Sequence, residues 1–85
     1  MSNKDDLNKI NELFKNNKIL EGLEFYEKII NNLNDVEMLK LVKNICIENK
    51  LLSNKNKNIR NLSYKLLEII INNINIYGIS LIIKD

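Results

Sequence analysis

Apolar residues recur three and four apart in four stretches of the chain, which is the spacing of one helical face. The first stretch is Leu7, Ile10, Leu13 and Phe14. Ser2, with Asp5 three residues on, offers it a capping box, and the pattern fades at Asn16 and Asn17. Asn17 can cap a second helix carrying Ile19, Leu23, Tyr26, Ile30 and Leu33. Gly22 sits inside that helix at a cost of about 1 kcal/mol relative to Ala. It either admits a close neighbour or has no role. Glu24 and Lys28 are spaced to pair along the same helix, worth a few tenths of a kcal/mol.

Asn34 followed by Glu37 is a stronger start signal, an Asn cap with an acid at the third helical position. The third helix is expected over about 35–49, burying Val36, Leu39, Val42 and Cys46, with Ile45 a further candidate. Lys40, Lys43 and Lys50 fall on its polar side. Residues 53–58, SNKNKN, contain no apolar side chain and read as a linker. Asn56 or Asn58 can cap the helix that follows, expected over 58–74. Ile59, Leu62, Leu66, Ile70 and Ile74 form its face, and Leu67, Ile69 and Ile71 widen it until the second half is apolar nearly all round. Such a helix belongs in the middle of a bundle, because a surface helix keeps a polar back. Gly78 looks like a terminator. The short apolar tail at 79–83 could form a strand, but no other segment alternates with period two to pair with it; packing as an extra turn fits better. The pattern predicts an all-α fold, a compact bundle of four to five short helices in a single domain over 1–85.

Length agrees: 85 residues make one domain with an adequate but not generous core. Asn, Lys and Ile dominate, and Ala, Pro, Thr, Gln, His and Trp are absent. A coding bias accounts for this, so an Asn counts as a signal only where its position demands one. The net charge of +2 is unevenly spread. Residues 1–37 hold eight acids and five bases; residues 38–85 hold eight bases and three acids. The second half can attract an acidic partner. One cysteine, Cys46, permits no internal disulfide and fits a reducing, intracellular setting. The N-terminus lacks the apolar stretch of a signal peptide, and no run reaches the roughly 18 apolar residues of a membrane span.

Catalytic and metal chemistry find little footing. There is no His, so Cys46 has no base partner, and its spacing from Leu39 and Val42 makes it a small core residue. Glu24 and Glu27 are three apart, as are charged residues on most surface helices. No cluster of metal ligands and no Gly-rich phosphate loop is visible, so no cofactor and no enzyme activity are expected. The remaining polar feature is Lys43, Lys50, Lys55, Lys57 and Arg60. If the end of the third helix, the linker and the start of the fourth are adjacent, these cations share one end of the bundle. They then form either a solvated rim or a docking edge for an acidic protein segment. The linker has no aromatic on which bases could stack, which argues against nucleic acid.

Residues 23–74 resemble the N-terminal (LW) domain of transcription elongation factor TFIIS. Leu23, Tyr26 and Ile29–Ile30 stand in the register of the family's Leu-x-x-Leu-x-x-Leu helix end. Asp35, Val36, Glu37, Met38 and Leu39 match its Thr-Val-Glu-Leu-Leu start. Ile59, Arg60, Leu62, Ser63, Leu66 and Leu67 match its final Ile-Arg-x-Leu-Ala helix. The family's Thr-x-Ile-Gly is replaced by Val-Lys-Asn-Ile at 42–45, and its Trp-Lys by Ile70 and Ile71. The resemblance implies a non-catalytic, monomeric, nuclear protein-interaction module that docks disordered acidic–hydrophobic segments of elongation factors. The alternative reading of the same helices is a HEAT- or armadillo-like adaptor or scaffold fragment, which would show a large open apolar face. A small nucleic-acid-binding bundle, resting on Lys55, Lys57 and Arg60, comes third.

Overall fold

The computed structural model describes residues 3–73, and every regular element among them is helical. Four α-helices follow one another: α1 (Lys4–Lys15), α2 (Ile19–Ile29), α3 (Asp35–Lys43) and α4 (Lys57–Asn73). Single 3-10 turns at Ile30–Asn32 and Leu51–Ser53 and a π turn at Asn44–Glu48 occupy the connections. The chain is an all-α bundle, as its hydrophobic spacing predicts. The Ser2 cap, Ile74, Gly78 and the apolar tail at 79–83 lie outside the described residues.

Asn17 ends α1 rather than capping α2. Its φ is 63°, and its N–H donates to the Phe14 carbonyl at 3.0 Å while the Lys18 N–H reaches the Leu13 carbonyl at 2.8 Å. These are the two bonds of a Schellman motif, whose residue just past the helix is left-handed; Asn tolerates that conformation better than any other non-Gly residue here. Lys18 takes the N-cap position of α2 and makes no side-chain cap. The corner is tight, and it lays α1 against α2.

The start of α3 is built as its sequence indicates. The Glu37 N–H donates to Asn34 Oδ1 at 2.8 Å, and the Asn34 N–H donates to Glu37 Oε1 at 2.9 Å. Asn3, at the N-terminal cap of α1, adds a third tie: its amide donates to the Asn32 carbonyl at 2.8 Å and to Glu37 Oε1 at 3.2 Å. The start of α1 is thereby stitched to the start of α3.

The buried face of α3 is rotated from the expected one. Met38, Leu41, Val42 and Ile45 are buried, Leu39 and Cys46 are half-buried, and Val36 is 60% exposed. Both sets are spaced three and four apart and share Val42 and the further candidate Ile45, so periodicity alone does not choose between them. Asn3 and Asn34 hold Glu37 on the α1 side, and Val36, one residue earlier and about a quarter-turn away, points out.

α2 lies between α1 and α4 and packs on both. It supplies Leu23, Tyr26 and Ile29 to one continuous core, joined by Ile10 from α1, Ile30, Leu33 and Leu51 from the connections, and Ile59, Leu66 and Ile70 from α4. Gly22 is buried under Phe14: a Cβ there would overlap the edge of the Phe14 ring. The close-approach reading of this glycine therefore holds. Phe14 in turn meets Tyr26 edge-on, with centroids 6.2 Å apart and planes at 86°. α4 carries a fully buried hydroxyl, Ser63, which donates to the Ile59 carbonyl at 2.7 Å and so leaves no unpaired group in the core. The wide apolar face expected late in α4 is only partly covered: Leu67 and Ile69 are half-buried and Ile71 is 56% exposed.

Candidate functional site

Two side-chain amides and one guanidinium shape the linker between α3 and α4. Asn54 Oδ1 accepts the Asn56 N–H, and Asn56 Oδ1 accepts the Asn58 N–H, both at 2.8 Å. These are successive Asx turns, and the second makes Asn56, of the two candidates, the cap of α4. The Arg60 N–H then closes the first helical turn onto the Asn56 carbonyl at 3.1 Å. Arg60 turns its side chain back on the loop: Nη1 donates to the carbonyls of Asn54 at 2.8 Å and Lys55 at 3.1 Å. Both bonds come from the one nitrogen, whose two N–H groups reach adjacent carbonyls.

The five expected site cations are thus divided by their surroundings. Lys50, Lys55 and Lys57 are exposed along the linker, and among the described residues none of them pairs with a carboxylate. Lys50 occupies a left-handed position, φ 47°, where its carbonyl accepts from the Ser53 hydroxyl at 3.1 Å. Arg60 is half-buried and committed to the loop carbonyls. Lys43 lines a separate cleft between α1 and α3, with Lys40, Tyr26 and Glu48. The π turn contacts the Leu51–Ser53 turn, that turn contacts α4, and α3 touches α4, so the end of α3, the linker and the start of α4 are adjacent, while Lys43 itself lines a different cleft from the linker depression.

Beside the linker is a depression that sequence reasoning did not anticipate. It lies between the α1–α2 corner and the start of α4, lined by Asn17, Lys18, Ile19, Leu20, Glu21, Asn54, Asn56 and Ile59. Lys55 lies between two of these residues in the chain and Lys57 follows the second. The lining thus combines the apolar Ile19, Leu20 and Ile59 with one cation, Lys18, and one acid, Glu21. The signal in the sequence was weak, because Ile19 and Leu20 read simply as the first turn of a buried helix face.

The spacing-based pair of Glu24 with Lys28 does not form. Glu27 instead binds Lys65 of α4 at 2.5 Å. Two groups have shifted ionisation. Burial, with a smaller contribution from the charge of Glu48, pushes the Tyr26 hydroxyl above the ordinary tyrosine range. Burial alone raises the Cys46 thiol. Both stay protonated at neutral pH, and a protonated thiol is a poor nucleophile. Among the described residues no three His, Cys, Asp or Glu side chains are grouped to hold a metal ion. Nor is any described helix long and apolar enough to cross a membrane. No family model, no curated protein and no solved structure matches the chain.

Proposed function

We propose that this bundle is a protein-interaction module that docks a disordered acidic–hydrophobic segment at the linker end of α4. One observation carries the reading: Lys55 and Lys57, which pair with no carboxylate among the described residues, lie on the linker whose Asn54 and Asn56 line a depression shared with Lys18, Ile19, Leu20, Glu21 and Ile59. A disordered partner loses chain entropy on binding. Apolar side chains seated on the floor supply affinity against that loss, and the cations speed encounter and select acidic sequences. The transcription-elongation setting, and with it the nucleus, rests on the resemblance to the TFIIS N-terminal domain. The protein acts in this reading as a monomer without cofactor or catalysis.

The test uses synthetic peptides alternating Asp or Glu with Leu or Phe, titrated by fluorescence anisotropy. Replacing both Lys55 and Lys57 by Glu should weaken binding about tenfold at low salt, equivalent to about 1.4 kcal/mol. The difference should shrink as salt shortens the Debye length. The melting temperature should not fall. Unchanged affinity in the double variant removes the basic edge from the site. A second reading, an open helical scaffold, is favoured by Tyr64 and Ile71, both more than half exposed and two turns apart on α4. It requires self-association, and a purely monomeric sedimentation profile excludes it. For nucleic acid, absent binding or binding without a salt slope excludes that reading too.

A further inference from the structure

The cleft between α1 and α3 has a volume of about 420 Å³, far more than a single water needs. α1 lines it with Leu7, α3 with Lys40 and Lys43, and the π turn with Asn44 and Glu48. Tyr26 of α2 lines it as well, and its hydroxyl has no hydrogen-bond partner among the described residues. The residue is only 6% exposed. No fully buried side-chain oxygen among the described residues lacks a partner, so this hydroxyl opens into the cleft. The charge of Glu48 acts on it there. Packing does not require the hydroxyl, because the edge-on contact with Phe14 is made by the ring alone. A polar group this enclosed is normally paired.

The charges around the cleft are balanced, with Lys40 and Lys43 against Glu37 and Glu48. None of the four forms a salt bridge among the described residues. Glu37 is engaged elsewhere, since its Oε1 accepts from the Asn3 amide and the Asn34 N–H. The two ammonium groups and the Glu48 carboxylate are unspent. A ligand of one sign would meet a like charge on this lining, whereas a ligand bearing both signs can place each against its opposite. We infer that the α1–α3 cleft binds a small zwitterion of the α-amino acid class, its carboxylate toward Lys40 and Lys43, its ammonium toward Glu48, and the Tyr26 hydroxyl donating to the carboxylate. Leu7 and the Tyr26 ring offer apolar surface to the ligand's side chain. The cleft shares no lining residue with the linker depression, so the inference does not rest on the docking reading.

Three probes of one carbon skeleton test this by NMR on the isotope-labelled full chain: L-leucine, isocaproate without the ammonium, and isopentylamine without the carboxylate. L-leucine should shift the Tyr26 ring and the Lys43, Asn44 and Glu48 amides saturably. Each half-ligand should bind about fivefold more weakly, the scale of one exposed ion pair. Tyr26→Phe keeps the ring in the core and should weaken L-leucine about fivefold, the scale of one hydrogen bond. Glu48 is exposed, so Glu48→Gln leaves the core untouched. It should weaken L-leucine and leave isocaproate no weaker. The inference is overturned if L-leucine gives no saturable shift at Tyr26, or if a half-ligand binds as tightly. It is equally overturned if either variant binds L-leucine as the native protein does.

Discussion

Gly22→Ala sets two effects against each other, and the structure decides the sign. Ala is about 1 kcal/mol better than Gly inside a helix, and Gly22 is in the body of α2. On propensity alone the substitution stabilises. However, the added Cβ would overlap the Cε1 edge of Phe14. Phe14 cannot simply swing away, since its ring stands edge-on to Tyr26, which is buried in the core. Inserting a methyl into such a contact costs typically 1–3 kcal/mol. The net expectation is destabilisation by about 1 kcal/mol. Phe14→Leu shortens the side chain and frees it to rotate, so in that background Gly22→Ala should stabilise by up to about 1 kcal/mol. The coupling between the two positions is then about 2 kcal/mol, large enough to read by a double-mutant cycle from urea unfolding at constant m-value. A stabilising Gly22→Ala in the otherwise native chain, or equal effects in the two backgrounds, would refute the argument that close packing, not backbone freedom, is what this glycine provides.

Leu66→Ala, at a fully buried position of α4, should cost about 2–5 kcal/mol in urea unfolding. Asn34→Ala removes one half of the capping box and should cost about 1 kcal/mol, measured the same way, while Asn31→Ala at an exposed site outside it should be near neutral. Stability should also fall at alkaline pH. Cys and Tyr ionise in an unfolded chain at about pH 8.5 and 10, and both Cys46 and Tyr26 resist ionisation when folded. Their contribution is whole below about pH 8.5 and is lost as pH rises through their raised folded values. Thermal melts across that range should show Tyr26→Phe flattening the upper part of the decline and Cys46→Ala the lower part.

Sequence reached the elements whose signals are local. The Asn34–Glu37 box is a chemical motif within one turn, and the 53–58 linker is an unbroken polar run, so both were legible. Where the sequence allows two solutions of equal local merit, it fell short. Asn17 can cap a helix or end one; the left-handed turn is selected by the need to bring α1 back onto α2, a tertiary demand. α3 offers two apolar stripes that share Val42 and Ile45, and the choice between them is tertiary: Met38 and Leu41 join the common core, and Glu37 beside them is held by Asn3, more than thirty residues away. The same limit applies to the site. Charge counting collected Lys43, Lys50, Lys55, Lys57 and Arg60, but only contacts show that Arg60 is spent on loop carbonyls. One clue was available: Arg60 is the sole arginine among thirteen basic residues, in a chain that otherwise uses Lys.

The linker cations carry one more consequence. The first turn of α4 contains no acid, and Lys55, Lys57 and Arg60 sit around an N-terminus that already bears the positive end of the helix dipole. Arg60 is compensated by the carbonyls it binds. Lys57 has no such compensation among the described residues. Natural sequences usually agree with local rules, and a violation without a structural return points to a role in binding. Lys57→Glu should therefore raise stability by about 0.3–1 kcal/mol at low salt, with the gain fading as salt is added. The same variant should bind acidic–hydrophobic peptides more weakly. Stability and binding moving in opposite directions would identify Lys57 as a residue kept for its partner. If the variant instead loses stability, Lys57 has a structural role at the start of α4, and the basic edge has no claim to a cost that only binding could offset.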